Sequence, residues 1–327
     1  MRYVIYGAGA VGATIGGLLH AAGRDVVLIA RGAHLDALRR DGLRLIDPDR
    51  ERTLPVIAVG SPAEVAIGAG DAVLLAMKTQ DTEDALDALR ASAPPDVAVV
   101  CAQNGVENER LALRRFAHVY AMRVILPAEH LEPGVVLQSA APVAGVLDLS
   151  PYPGPAPDDR AEAIAADLTA AGFSSEATPR ALALKYGKLL SNVANAIDAA
   201  IGDDPLGDAI HERARAEARA CYAAAGIDAA SDAEDAARRA TVSASRPIGG
   251  RARNGGSTWQ SLARGTGRVE ADWLNGEVVL LGRLHGVPTP VNAVLQRAAN
   301  EMAREHRVPG SMTGAELEEL IAAEPGA

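Results

Sequence analysis

The 32 basic side chains are divided very unevenly, into 29 arginines and three lysines: Lys78, Lys185 and Lys188. Arg is locked in its charged form, whereas Lys can shift its pKa and trade a proton. A chain that uses Arg almost everywhere has reason to keep Lys where Arg chemistry fails. Two of the three lie in the run Ala183-Leu184-Lys185-Tyr186-Gly187-Lys188-Leu189-Leu190-Ser191-Asn192-Val193-Ala194-Asn195. On a helix Lys188 and Asn192 are i and i+4 and share a face. Asn195 lies three further on, near the same stripe. Beside Leu189, Leu190 and Val193 these groups would form a polar rim on an apolar body. They fit equally an ordinary amphipathic helix with a solvated Lys. A second polar run is Asn254-Gly255-Gly256-Ser257-Thr258-Trp259-Gln260, followed by Glu270-Ala271-Asp272-Trp273-Leu274-Asn275-Gly276. Glu270 and Asp272 also read as acids at a helix N-terminus, favoured there by the helix dipole.

At the start of the chain the chemistry is anion binding. Gly7-Ala8-Gly9-Ala10-Val11-Gly12 is a G-x-G-x-x-G run. Its first Gly permits a tight turn, its second lets backbone approach a pyrophosphate, and its third lets helix and strand pack closely. The phosphates then face free N–H groups at the positive end of a helix. Enzymes that use NAD place Asp or Glu at the end of the second strand, on the ribose 2′-hydroxyl. Here that strand ends Leu28-Ile29-Ala30-Arg31-Gly32. A guanidinium in that place suits the 2′-phosphate of NADP. His34 also lies near this turn, where a polar capping role is the simpler reading.

The elements needed to hold these groups are legible around them. Tyr3–Tyr6 reads as a buried strand, Ala13–Ala22 as a helix closed by Gly23, and Arg24–Ala30 as a second strand, so the glycine run sits inside one βαβ unit. The uncharged stretch Tyr3–Gly23 has the length of a membrane span, but its six glycines oppose a lipid-spanning helix. Further strands are expected at Gly42–Ile46, Thr53–Val59, Ala72–Met77, Val97–Ala102 and Val119–Ile125, and in a Val/Leu-rich region from Val135 to Leu149. Helices are expected at His34–Arg40, Asp81–Ala91, Glu107–Phe116 and, capped by Asp158, Asp159–Ala171. Asp47-Pro48-Asp49 predicts a hairpin. Strands alternating with helices imply a mainly parallel sheet covered on both faces. From about Thr178 helical periodicity takes over, at Arg180–Ile201, Asp208–Ala225, Ser231–Ala244, Arg268–Gly286 and Val291–Glu305. The glycine-rich stretch Arg246–Thr258 reads as a loop and the residues from Pro309 as a polar helix with a frayed end. The expected fold is therefore an α/β Rossmann-type dinucleotide-binding domain over residues 1–177 and an all-α domain over 178–327.

Composition agrees with a globular chain of about two domains at roughly 150 residues each. The net charge of −10 and only ten aromatic residues oppose nucleic-acid binding, which needs a basic face and stacking platforms. Cys101 and Cys221 are too far apart for metal-ligand spacing and fit a reducing, cytoplasmic setting. The seven histidines likewise lack metal-ligand spacing. No metal, membrane or nucleic-acid partner is expected.

Taken in order, GAGAVG at Gly7–Gly12, Arg31, MKTQD at Met77–Asp81, AQNG at Ala102–Gly105, KLLSN at Lys188–Asn192 and the run from Ser257 to Gly276 resemble the ketopantoate reductase family. The resemblance spans nearly the whole chain. It implies a Rossmann domain, a helical domain and a site in the cleft between them. It implies NADPH as cofactor and a small 2-oxo acid as substrate, 2-dehydropantoate or a related keto acid. By position, Lys188 would be the general acid, and Asn192 and Ser257, with Asn254, would bind the substrate's carboxylate and hydroxyl end. Asn104 would touch cofactor and substrate, Lys78 the nicotinamide side, and Glu270 would anchor the cofactor or the catalytic Lys. Lys185 has no family role and is expected at the surface. A homodimer would form through the helical domain. The same residues leave open another NADP-dependent hydroxy-acid or opine-type dehydrogenase, and a non-catalytic NADP-binding sensor. Three positions depart from the family pattern. Ala196 stands where a second Asn is common, with Asn195 one earlier. Tyr186 replaces a frequent Trp. The Gln260–Glu270 stretch is one residue longer than the family pattern. These bear on which keto acid fits.

Overall fold

Tyr3–Tyr6 sits inside a run of strands whose residues alternate between two cores, because strand side chains point alternately to opposite faces. In the computed structural model, which describes residues 1–154, 156–240, 245–251 and 255–325, the first half runs β1 (Arg2–Tyr6), α1 (Ala10–Ala21), β2 (Asp25–Ile29), α2 (Gly32–Asp41), β3 (Leu43–Ile46), β4 (Glu51–Leu54), β5 (Ile57–Val59), β6 (Ala72–Leu75) and α3 (Thr82–Arg90). It continues through β7 (Ala98–Cys101), α4 (Asn108–Leu113), β8 (His118–Ile125), β9 (Ala128–Glu129), β10 (Val135–Gln138), β11 (Val146–Tyr152) and α5 (Asp159–Ala170). Helices follow: α6 (Ala181–Asn192), α7 (Asn195–Ile201), α8 (Gly207–Ala225), α9 (Asp232–Arg239), α10 (Ser257–Ala263), α11 (Asn275–His285), α12 (Pro290–Arg304) and α13 (Gly314–Ala322). The chain divides into two compact units, Met1–Lys185 with Asp232–Arg253, and Tyr186–Ser231 with Asn254–Ala327.

The first unit is the expected Rossmann-type α/β fold. Its main sheet has strand order β11-β8-β7-β6-β1-β2-β5, parallel except for β11 against β8. Ile5, Leu28, Leu74 and Val100 face one side with Ile15, Leu18, Ile164 and Leu168. Val4, Val27, Val73 and Val99 face the other with Leu86, Leu89 and Phe116. Both faces are buried, so the strands are continuously apolar. Asp158 caps α5 through the Ala161 N–H, 2.8 Å away, as its sequence position predicts. The predicted hairpin joins antiparallel β3 and β4, with Asp47 Oδ1 accepting from the Asp49 and Arg50 N–H groups. These strands belong to a second sheet, β4-β3-β10-β9. The expected strand Thr53–Val59 is split between the two sheets, with Pro55 at the corner. The Val135–Leu149 region is likewise two strands in different sheets. The Pro-rich stretch Ser150–Pro157 begins inside strand β11, which runs through Tyr152. Helix α9 is fastened in this unit by a buried cluster in which the Arg123 guanidinium, fully buried, meets Asp235 and Asp148 while Arg238 donates to Asp148 at 2.6 Å.

The second unit is helical, as expected. A polar chain runs through its core. Asn275 Nδ2 donates to the Val193 carbonyl and to Asn292 Oδ1, both at 3.1 Å, and Asn292 Nδ2 donates to Glu217 at 2.7 Å. The Glu217 carboxylate accepts the first N–H groups of α12, from Val291 and Asn292, where the helix dipole favours it. The Leu190 carbonyl accepts from His211 at 2.9 Å, the Ala194 N–H turns to Ser191 instead, and the Val193 carbonyl is taken by Asn275, so the single helix expected over Arg180–Ile201 is two. The helix expected from Arg268 begins instead as a 3-10 turn at Ala271–Trp273. The expected Arg246–Thr258 loop gives way to α10 at Ser257, and its residues 252–254 lie outside the described residues. Among the described residues no helix is long and apolar enough to cross a membrane.

Candidate active site

Four of the predicted groups sit at the carboxyl ends of four adjacent parallel strands. Arg31 follows β2, Gly7–Gly12 follow β1, Lys78 follows β6 and Asn104 follows β7, in the spatial order β2-β1-β6-β7. That edge is where open α/β sheets bind ligands. Gly7 has φ +98°, and a Cβ there would lie 2.5 Å from the Met77 backbone nitrogen. A Cβ on Gly12 would strike the Gly7 carbonyl. Neither position admits another residue. Gly9 is the opposite case: a Cβ there would meet nothing within 4 Å. The N–H groups of Ala10, Val11 and Gly12 have no intrahelical acceptor because they open α1. Its first turn carries no acid. The arrangement fits a pyrophosphate, which needs free amides, positive helix polarity and close backbone approach.

The Arg31 side chain is exposed and forms no hydrogen bond or ion pair among the described residues. His34 is fully committed to the backbone. Its Nδ1 accepts from the Gly134 N–H at 2.8 Å, which leaves Nε2–H to donate to the Ala8 carbonyl at 2.7 Å. A role at a 2′-phosphate is thereby excluded. Burial first, and then the His130 ring with its centroid 4.2 Å away, lower the His34 pKa from 6.5 to about 4. The ring is a neutral strut between the glycine turn and the second sheet.

Behind Lys78 and Asn104 lies a buried polar network. Gln103 Nε2 donates to the Met77 carbonyl at 3.0 Å and to Thr82 Oγ1 at 2.8 Å. Thr82 donates to Asn108 Oδ1 at 2.8 Å, and Asn108 Nδ2 donates to Thr79 Oγ1 and the Asn104 carbonyl. Lys185 completes it, and here the surface expectation fails. Lys185 is 4% exposed, ion-paired with a fully buried Glu109, and donates to the carbonyls of Gln103 at 3.1 Å and Cys101 at 3.4 Å. A buried Lys needs a paired charge, and Glu109 supplies it. Burial also pushes the neighbouring Cys101 thiol pKa up.

In the helical unit Lys188 and Asn192 are one turn apart on α6, both partly buried. Asn195 does not extend their stripe, because the helix breaks before it. Its Oδ1 lies 2.9 Å from where a Gly256 Cβ would stand, and the Gly256 N–H donates to Asp198 at 2.6 Å. Ser257, at the start of α10, donates to buried Glu270 at 3.4 Å. Glu270 thus gathers a predicted substrate ligand, while Asp272 binds Gln296 and Asn300 of α12. Asn254 lies outside the described residues. Tyr186 packs edge-on against Tyr222, with centroids 5.4 Å apart. Ala196 is 2% exposed. Sequence reasoning missed Glu109, Asn108, Gln103 and Asp198. The scarcity of lysine already pointed at Lys185.

Residues 3–153 match the family described as ketopantoate reductase PanE/ApbA, and residues 187–303 match its C-terminal family. A 2-dehydropantoate 2-reductase of Halobacterium salinarum is 30% identical over 305 residues, covering 89% of this chain and 95% of that one. The crystal structure of a PanE/ApbA family ketopantoate reductase from Ralstonia eutropha JMP134 superposes with a TM-score of 0.79 at 31% identity, covering 94% of this chain and all of that one. D-mandelate dehydrogenase, solved with NADH and anilino(oxo)acetate, gives a TM-score of 0.80 at 21% identity over 94% of this chain and all of that one, a likeness of fold.

Proposed function

This chain belongs to the ketopantoate reductase family, and from that premise we propose that it reduces a 2-oxo acid, 2-dehydropantoate or a close relative, to the 2-hydroxy acid with NADPH. The observation that carries the reading is the glycine turn at β1, closed to side chains at Gly7 and Gly12 and open in front of Gly9. The family's relatives, named 2-dehydropantoate 2-reductase, support the substrate class. Residues 1–177 would hold the dinucleotide, through Gly7–Gly12, Arg31, Lys78 and Asn104, with Glu270 contributed by residues 178–327.

When bound, reduced nicotinamide supplies a hydride to the C2 carbonyl carbon. Lys188 does the rest of the chemistry. Its ammonium stabilises the negative charge that develops on the keto oxygen and passes a proton to it. An Arg there could do the first but not the second. Asn192 and Ser257, with Asn254, hold the carboxylate and hydroxyl end of the substrate. Glu270, accepting from Ser257, orients that hydroxyl. The enzyme would act in the cytoplasm, as a homodimer joined through its helical half.

The test is a panel of small 2-oxo acids with NADPH and NADH, followed at 340 nm. Turnover with 2-dehydropantoate and preference for NADPH are expected. NADPH that binds but is oxidised by none of the keto acids would leave a non-catalytic sensor. Turnover confined to another keto acid would transfer the assignment to that substrate, with Ala196 and Asn195 as the altered positions.

A further inference from the structure

We propose that Lys185 and Glu109 are positioning residues for Asn104, fixing the peptide plane that leads into it while Asn108 holds the plane that leads out. The proposal rests on the reading of Asn104 as a cofactor and substrate contact. The ammonium has three donors, and three acceptors converge on it: the carbonyls of Cys101 and Gln103 and Glu109 Oε1. The Gln103 carbonyl belongs to the peptide bond that leads into Asn104. The Asn104 carbonyl, in the peptide bond that leads out, accepts from Asn108 Nδ2 at 3.2 Å. Both torsions of Asn104 are therefore held from behind, and the chain turns away at Gly105 with φ +75°.

Stability alone does not account for this pair. Both side chains are buried, 3% and 0% exposed, and Glu109 Oε2 has no hydrogen-bond partner among the described residues. Removing two charges from water so completely is offset by their attraction only when the remaining lone pairs are satisfied, and apolar residues of similar volume often hold a fold at least as well. The pair therefore supplies geometry. A planar guanidinium cannot direct three donors tetrahedrally at these acceptors, which accounts for the third lysine in a chain of arginines.

The test uses the full chain and four proteins: Lys185→Met/Glu109→Leu, Lys185→Arg, Asn104→Ala and the triple variant. Each is read by thermal melting, by NADPH Kd from fluorescence titration, and by kcat with 2-dehydropantoate. The neutral pair is expected to melt cooperatively and to lose about tenfold or more in kcat, the scale of a displaced contact. NADPH Kd should change by the same factor in the neutral pair and in Asn104→Ala. Adding Asn104→Ala to the neutral pair should cost nothing further, since the two act on one contact. A merely structural pair would give additive losses. Full additivity, or a folded neutral pair within about twofold of wild type in both kcat and Kd, overturns the proposal. If the neutral pair does not fold, the same cycle with Lys185→Arg, which keeps the charge, decides it. If wild type reduces no 2-oxo acid, the reductase reading fails, and the Kd cycle alone still judges Lys185 and Glu109.

Discussion

Replacing Arg31 with Ala should separate the two nicotinamide cofactors. Arg31 is exposed at the carboxyl end of β2, at the N-terminus of α2, and pairs with nothing among the described residues. It therefore loses no internal contact when a ligand takes it, and its removal leaves no orphaned partner. A hydrogen bond to a charged group is worth about 1.5–3 kcal/mol, and exposure puts this one at the lower end. About 1.5 kcal/mol is roughly a tenfold factor in affinity. The Arg31→Ala variant should thus raise KM for NADPH about tenfold, leave NADH within about twofold, and keep kcat with either. Because the contact is exposed, the NADPH effect should shrink as salt rises from about 0.05 to 0.5 M, over which the Debye length falls several-fold. Arg31→Glu should go further, repelling the 2′-phosphate and offering the ribose hydroxyl a carboxylate. The assay is the 340 nm rate with both cofactors at two ionic strengths. Equal changes in KM for NADPH and NADH would refute the 2′-phosphate role.

Lys188→Arg should keep NADPH affinity by fluorescence titration and lose about a hundredfold or more in kcat, the usual share of general-acid catalysis; near-wild-type turnover would remove Lys188 from that role. His34→Ala should raise Kd for NADPH and NADH by one common factor of about fivefold, as expected for a lost hydrogen bond of about 1 kcal/mol behind the glycine turn, and an effect on NADPH alone would contradict the strut. His34 also makes stability pH-dependent: its folded pKa of about 4 lies below the ordinary 6.5, so the unfolded chain binds the extra proton. Stability should therefore fall as pH drops from about 6.5 to 4 and level off below, by roughly 1–3 kcal/mol, and urea melts of His34→Gln should lack that slope. Ala196→Asn, which restores a family residue at a 2% exposed position, should lower stability by about 1–3 kcal/mol for an unsatisfied amide and gain no activity; a rise in kcat would mean the neighbourhood of Ala196 accepts the side chain.

What was legible in the sequence is what is local. The glycine spacing, the two flanking apolar runs and the Asp158 cap each act within about a dozen residues, and the structure returns them where they were read. The Asp47 hairpin is local in the same sense. What was missed depends on distant partners. The break between α6 and α7 follows from His211, 21 residues beyond Leu190, and Asn275, 82 beyond Val193. The burial of Lys185 follows from Glu109, 76 residues before it. The split of Thr53–Val59 follows from β5 pairing with β2 while β4 pairs with β3. Neither spacing nor propensity reports such pairings. Of the candidate site, Arg31, the glycine turn, Lys78 and Asn104 fall on one strand edge, and Ser257 meets Glu270. Asn195 moved off the Lys188 face because the helical period that placed it there ends first.

The three lysines bear on all of this together. Under the proposed roles, Lys185 and Lys188 stand where a guanidinium has the wrong shape or the wrong acidity. Lys188 is the residue proposed to give up a proton. Lys185 sits at the meeting of three acceptors, the carbonyls of Cys101 and Gln103 and Glu109 Oε1. Lys78 begins the turn whose Thr79 hydroxyl accepts from Asn108, within the network that Lys185 closes. A random residue among 29 arginines has no reason to fall on that network once, and two of the three lysines do so, while the third lies on α6 three residues after Lys185. Composition could single out these positions because Arg and Lys differ in just the two properties, proton exchange and donor geometry, that a reductase site uses. It could not separate them from one another, since that needs burial. Lys185 and Lys188 share a helix and differ chiefly in exposure, Lys185 being buried on an ion pair and Lys188 only partly buried.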